Sequence, residues 1–198
     1  MNSKEELYKK IDVFNSNLIN YITASLSTRK AFNPTVYNLW KNVFDQIFPS
    51  NNGKNINFES IDNFAYNTNS KLAGVYYFFL ITDNIQEFKE DWGAFKKSND
   101  KVPALNEEIT PISNNMYLLY IGKSEYSLNK RLDNHINSGS SSTYCLRLKE
   151  FNNKYYEKYS FKYGYLSAKD KNKEHICKIL YIVESFLREE FPPILGRK

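Results

Sequence analysis

The sequence predicts an α+β fold in which three strand segments lie among helices, behind an N-terminal helical extension. Apolar residues at spacings of three and four near the start give the extension, and a later run of β-formers too short for a helix gives the first strand. Helical spacing then returns and persists to the end. At 198 residues, with 41% apolar and 16% aromatic side chains, the chain has material for one core, which argues against wholesale disorder despite a mean hydropathy of -0.60.

Leu7, Ile11, Phe14, Leu18, Ile19 and Ile22 mark an amphipathic helix over residues 4 to 24. A second starts with Asn33 as cap and Pro34 at the first helical position and runs through Val36, Leu39, Trp40, Val43, Phe44 and Ile47, to be ended by Pro49 and Ser50-Asn51-Asn52-Gly53. A shorter helix is expected between Glu59 and Thr68. Residues 1 to 70 are thus read as a helical extension that packs on the following domain or mediates self-association. Residues 71 to 198 are read as that domain.

From Leu72 the run Val75 to Ile81 reads as a buried strand. Residues 83 to 115, polar but holding Trp92 and Phe95, read as an insertion with one short helix. Met116 to Ile121 form the second strand. Leu128, Leu132 and Ile136 share one face of the helix after it. Thr143 to Phe151 is expected to be helical, and Tyr159 to Leu166 to be the third strand. Ile176, Ile179, Leu180, Val183, Phe186 and Leu187 stripe a last helix that Pro192 stops.

Two cysteines, Cys145 and Cys177, are too few and too distant for a zinc knuckle or a disulfide framework. The start Met-Asn-Ser-Lys-Glu-Glu has no apolar stretch behind it, and Val75 to Ile81 is far short of a bilayer span, so a soluble cytoplasmic protein with no membrane partner is expected. The net charge of +5 is uneven: from residue 120 on there are 15 Lys and Arg against 9 Asp and Glu, and before it 12 against 13. That bias is compatible with a phosphate-backbone partner.

The residues that carry chemistry are Gly74-Val75-Tyr76, opening one strand, and Tyr120-Ile121-Gly122, closing another. Arg131, His135, Glu184 and Pro192-Pro193 follow in that order. Singly each has a bland explanation, but the order and spacing resemble the GIY-YIG nuclease domain, over about two thirds of the chain. Tyr120-Ile121-Gly122-Lys123-Ser124, then Leu128, Lys130-Arg131-Leu132 and His135, match its most recognisable stretch. Glu184, nine residues before Pro193, matches its late metal-binding glutamate.

The resemblance implies a small three-stranded antiparallel sheet flanked by helices, and an active site of Tyr76, Tyr120, Arg131 and Glu184. Two phenols on neighbouring strands bring a water-orienting group and its partner to one phosphate. Arg131 is the implied clamp on the scissile phosphate, its fork matching that geometry better than an ammonium. His135, one helical turn on, is an implied helper of the general base. Glu184 is the implied ligand of Mg2+ or Mn2+, with waters and substrate oxygens completing the shell. Lys123 and Lys130 are expected on flanking phosphates. Gly74 and Gly122 are expected to relieve crowding between strands, and Tyr77 to face away from Tyr76.

In this chain 43 residues separate Tyr76 from Tyr120, which places an insertion inside the hairpin, as in the family's restriction endonucleases. The expected function is therefore a metal-dependent endonuclease of double-stranded DNA, of the restriction or defence kind. One site per chain implies a homodimer when both strands are cut, and the N-terminal helices and the 83 to 115 segment, with Leu39 and Trp92, are the surfaces open to that contact. Gly196 stands where the family often has Asn, and it favours a second reading, a catalytically weak or inactive module that binds nucleic acid or regulates. RNA and branched DNA are alternative substrates.

Overall fold

The stretch from Ala73 to Ile81 has no polar side chain to turn toward water except two tyrosines, so it can be stable only with both faces covered. In the computed structural model it is the middle strand of a five-stranded antiparallel sheet. The structure describes residues 59–67, 72–106, 109, 111–113, 115–137, 139, 144–168, 177, 180, 181, 184, 188 and 192–196. In chain order the elements are β1 (Glu59–Ser60), a 3-10 turn (Ile61–Asn63), β2 (Ala73–Ile81), α1 (Ile85–Lys97), β3 (Pro111–Ser113), β4 (Met116–Ser124), α2 (Leu128–Ile136), α3 (Leu148–Lys154) and β5 (Ser160–Ala168). The strands lie in the order β1-β5-β2-β4-β3.

The antiparallel α+β class is as expected, but among the described residues the sheet has five strands rather than three. The three long strands, β2, β4 and β5, are the ones the sequence shows, each nine residues long. The two edge strands have two and three residues, one of them a proline, too short for any alternation to show. β1 and its 3-10 turn replace the short helix expected from Glu59. Ser60 caps Asp62, Ile61 enters the core, and the Tyr163 hydroxyl donates to the Glu59 carboxylate at 2.7 Å across the β1–β5 pair. The sheet therefore reaches back at least to Glu59, before the boundary expected at residue 71. The helices expected at 4–24 and 33–47 lie outside the described residues.

Cross-strand partners share a face. Tyr76, Phe78 and Leu80 of β2 line up with Gly122, Tyr120 and Tyr117 of β4 and with Tyr165, Tyr163 and Phe161 of β5. That face meets the helices through a single aromatic cluster. Phe151 of α3 is its hub, with ring centroids 5.6, 4.9 and 5.3 Å from Phe88, Trp92 and Phe95 of α1 and 5.5 Å from Tyr159. The opposite face carries Val75, Tyr77 and Phe79, also buried. Tyr77 lies there as expected, its ring on Gly164, where an added Cβ would stand 2.7 Å from the phenol carbon.

Three further expectations change. The 83–115 insertion is not peripheral, because α1 puts Phe88, Trp92 and Phe95, at helical spacing, into the main core. Trp92 is wholly buried and donates its indole N–H to the Pro103 carbonyl at 3.0 Å, so it offers no surface for a second copy. The helix expected from Thr143 starts only at Leu148, because Arg147 is left-handed (φ 56°) and the backbone before it is committed to side chains of α2. Among the described residues no helix is long and apolar enough to cross a membrane, and both cysteines are free thiols.

A bulge in β4 sets up the site. Phe78 pairs with Tyr120 but Phe79 with Leu118, leaving Leu119 extra. In a regular strand successive carbonyls point to opposite edges. Here those of Leu118 and Leu119 both accept from one segment, from the amides of Ile194 and Leu195 at 2.9 Å each. The far side of that segment is held by Asn106, whose amide N–H donates to Ile194 and whose side chain donates to the Pro193 carbonyl, both at 2.7 Å.

Replacing the hub, Phe151→Ala, should destabilise the fold by about 3–5 kcal/mol, the range for emptying a large buried aromatic site. Denaturant unfolding measures it; a loss under about 1 kcal/mol would mean that the cluster is not the core.

Candidate active site

Tyr76 points from the middle strand across β4, and it can do so only because position 122 has no side chain. A Cβ on Gly122 would lie 2.6 Å from Tyr76 Cζ and closer still to its hydroxyl oxygen. The phenol therefore occupies the space a residue would fill, stacked at 27° and 6.3 Å on Tyr120. This is the crowding expected at Gly122.

Helix α2 brings the cation and the imidazole to that phenol. Its first turn is fixed by Ser127, whose hydroxyl accepts from the Lys130 amide, and by Leu128 N–H donating to the Leu72 carbonyl at 2.7 Å. Arg131 and His135, four residues apart, then share a face. Arg131 Nε donates to Tyr76 Oη at 3.1 Å, and His135 Nε2 lies 2.9 Å from the same oxygen. The imidazole is completely buried among Tyr76, Phe78 and Tyr120, with centroids 5.3, 5.6 and 5.0 Å away.

The tautomer follows from the other ring nitrogen. Leu146 N–H donates to His135 Nδ1 at 3.1 Å, so Nδ1 carries no proton. Burial first, and the Arg131 charge second, hold the imidazole neutral well below the ordinary histidine value. The single ring proton is then on Nε2 and is donated to Tyr76 Oη. The phenol oxygen thus receives two N–H donors, and its own proton remains to give. Burial pushes the Tyr76 phenol well above its usual range, Tyr120 adding to this and Arg131 opposing it, so it is protonated in the free protein.

Arg131 is anchored at a second point, Nη2 donating to the Tyr144 carbonyl at 3.1 Å. Two of its five N–H groups are used in orienting it, and three remain for an anion. Glu184 lies near enough for its charge to act on Tyr76. Its carboxylate is paired at 3.1 Å with Arg188, four residues on in helical conformation. Arg188 also donates to the Ile121 carbonyl at 2.6 Å and covers the Tyr120 ring at 5.4 Å. It ties the carboxylate to the β4 tyrosine, and the sequence showed it only as a residue at i+4 from Glu184. Gly196, with φ 114°, closes this corner; a Cβ there would stand 3.3 Å from Arg188 Nη1.

Tyr76, Tyr120, Arg131, His135 and Glu184 are thus brought together, and the two lysines are not. Lys123, next to Gly122, belongs to the other face of β4 by strand alternation. It pairs with Glu125 and lies over the Tyr181 ring at 5.7 Å. Lys130 is exposed on α2. Among the described residues no three His, Cys, Asp or Glu side chains cluster as a metal cage. Compared with protein-family models, curated proteins and solved structures, the chain finds no match.

Gly122→Ala forces the phenol out of its slot and should cost about 1–3 kcal/mol by overpacking; thermal unfolding checks it, and an unchanged melting temperature would mean the slot is not needed. The buried neutral imidazole sets a pH dependence. An unfolded chain takes up the His135 proton near pH 6.5 while the folded one does not, so its stability contribution is complete above about 6.5 and falls as the pH drops below it. Denaturation from pH 8 to 5 should show this loss, and His135→Gln should flatten it; equal slopes in the two proteins would place the pH dependence elsewhere.

Proposed function

We propose that the chain is a metal-dependent endonuclease that hydrolyses phosphodiester bonds of double-stranded DNA, of the restriction or defence kind, as its resemblance to the GIY-YIG domain implies. The observation that carries this reading is the convergence of Arg131 and His135 on the Tyr76 hydroxyl beside Tyr120 and Glu184. Residues far apart in sequence, picked out by the resemblance, lie close together: a cation and an imidazole on one phenol, a second phenol stacked on it, and a carboxylate joined to the second phenol through Arg188.

The roles divide by exposure. Tyr76 is buried and neutral, so it acts as the anchor that orients Arg131, whose remaining N–H groups clamp the scissile phosphate. Tyr120 is partly exposed, and it is the phenol a water can reach, so it orients the attacking water. His135 holds its one proton on Tyr76 and fixes the anchor. Among the described residues Glu184 is the one hard carboxylate of the site, half-buried, and a single carboxylate with waters fits Mg2+ or Mn2+ rather than zinc. When bound, such an ion neutralises charge building on the phosphoryl oxygens and the leaving group.

Gly196 supports the second reading, a nucleic-acid-binding module with little or no catalysis: the amide side chain the family often has there is missing, and the φ of 114° is one that a side-chain-bearing residue rarely adopts.

Purified protein with supercoiled plasmid separates the two. Mg2+-dependent cutting that disappears in chelator and in Glu184→Ala, with DNA retention kept, is expected. Nicked circles should precede linear product, since one chain carries one site and a homodimer is needed for both strands. Arg131→Lys keeps the charge but loses the anchored fork and should also fail. Tyr120→Phe should lower kcat by roughly 10²-fold or more, while Tyr76→Phe, which loosens the clamp, should raise KM as well. Salt-sensitive retention with no cutting would establish the binding module instead.

A further inference from the structure

Two lysines of the 83–115 insertion lie over a residue that Arg131 touches. Arg131 Nη2 is bonded to the backbone of Tyr144, and the Tyr144 ring, 56% exposed, lies under two ammonium groups, Lys96 Nζ at 5.9 Å and Lys101 Nζ at 5.6 Å. The arrangement is held from behind. Cys145 N–H donates to the Lys101 carbonyl at 3.2 Å, Lys96 Nζ to the Asp100 carbonyl at 2.8 Å, and Arg147 to the Asn99 side chain at 2.7 Å. Among the described residues neither Lys96 nor Lys101 has a carboxylate partner, whereas Lys123 is paired with Glu125 and Lys158 with Glu87 and Asp91.

We propose that Tyr144, Lys96 and Lys101 form a nucleic-acid platform, on which the DNA strand next to the phosphate held by Arg131 is bound. An exposed ring beside cations without carboxylate partners is the combination that binds a strand without reading its sequence, the ring taking a base or sugar face and the ammonium groups the phosphates. The phosphates of one strand recur about every 3.4 Å of duplex axis. A strand clamped at Arg131 therefore carries its next phosphates over a residue that Arg131 already touches. This rests on the nucleic-acid part of the proposed function but not on its catalysis, and it gives the insertion a role besides its core helix.

The test is fluorescence anisotropy of the full-length chain with labelled duplex and single-stranded DNA in chelator, over a series of salt concentrations. The variants are Lys96→Gln with Lys101→Gln, Tyr144→Ala, Tyr144→Phe and, as control, Lys158→Gln, each checked for an unchanged melting temperature. The double lysine variant should make the plot of log affinity against log salt shallower by about two. Tyr144→Ala should weaken binding about tenfold or more, most on single strands, and Tyr144→Phe should restore it. Lys158→Gln should change nothing. An unaltered slope in the lysine variant, a loss equal to that in the control, or no retention of DNA by the wild type overturns the platform. A wild type that binds through these residues yet leaves plasmid intact in Mg2+ keeps the platform and refutes the nuclease; one that cuts with KM unchanged in the double variant does the reverse.

Discussion

The missing side chain at Gly122 is the constraint on which the site depends. Tyr76 is a middle-strand residue and would otherwise pack against the cross-strand neighbour its register gives it. With that neighbour reduced to backbone, the ring lies flat over β4 and its oxygen comes within reach of helix α2. Arg131 and His135 have one common target only because the phenol is there. The bulge at Leu119 completes the geometry from the other strand, setting Tyr120 beside Tyr76 while handing two carbonyls to the segment that ends in Gly196.

Every strong group in this cluster is held by another. Arg131 is oriented by a phenol and a carbonyl, His135 by an amide and a phenol, and Glu184 by Arg188, itself fixed to β4. Groups so constrained lose little freedom on meeting a charged ligand, the condition for electrostatic stabilisation without reorganisation. The neutrality of His135 belongs to the same logic, since a second buried cation beside Arg131 would have no partner.

The long strands, α2 and the five clustered residues were legible because each has a local signal: an unbroken apolar run, a 3-to-4 spacing with a Ser cap, or a motif residue at a fixed offset. What was illegible depends on partners distant in the chain. The edge strands are two and three residues long and exist only by pairing with β5 and β4. The 83–115 segment reads as a polar insertion because its three core aromatics are diluted by surface residues, although Phe151, more than fifty residues on, makes them a core. α3 starts late because Tyr144 to Leu146 are engaged by Arg131 and His135, a contact no propensity encodes. Lys123 could have been placed by alternation from Gly122, which puts it on the face of Tyr77 rather than Tyr76.

A neutral imidazole that accepts at Nδ1 and donates from Nε2 to the Tyr76 oxygen holds the site together. Nitrogen NMR of the two imidazole nitrogens of His135 in the folded chain tests this most directly. The prediction is a proton on Nε2 and a bare Nδ1, unchanged as the pH is lowered from 8 toward 6. A proton on Nδ1, or an imidazolium that forms near the ordinary histidine value, would contradict it, because the phenol would then lack the donor that sets it against Arg131.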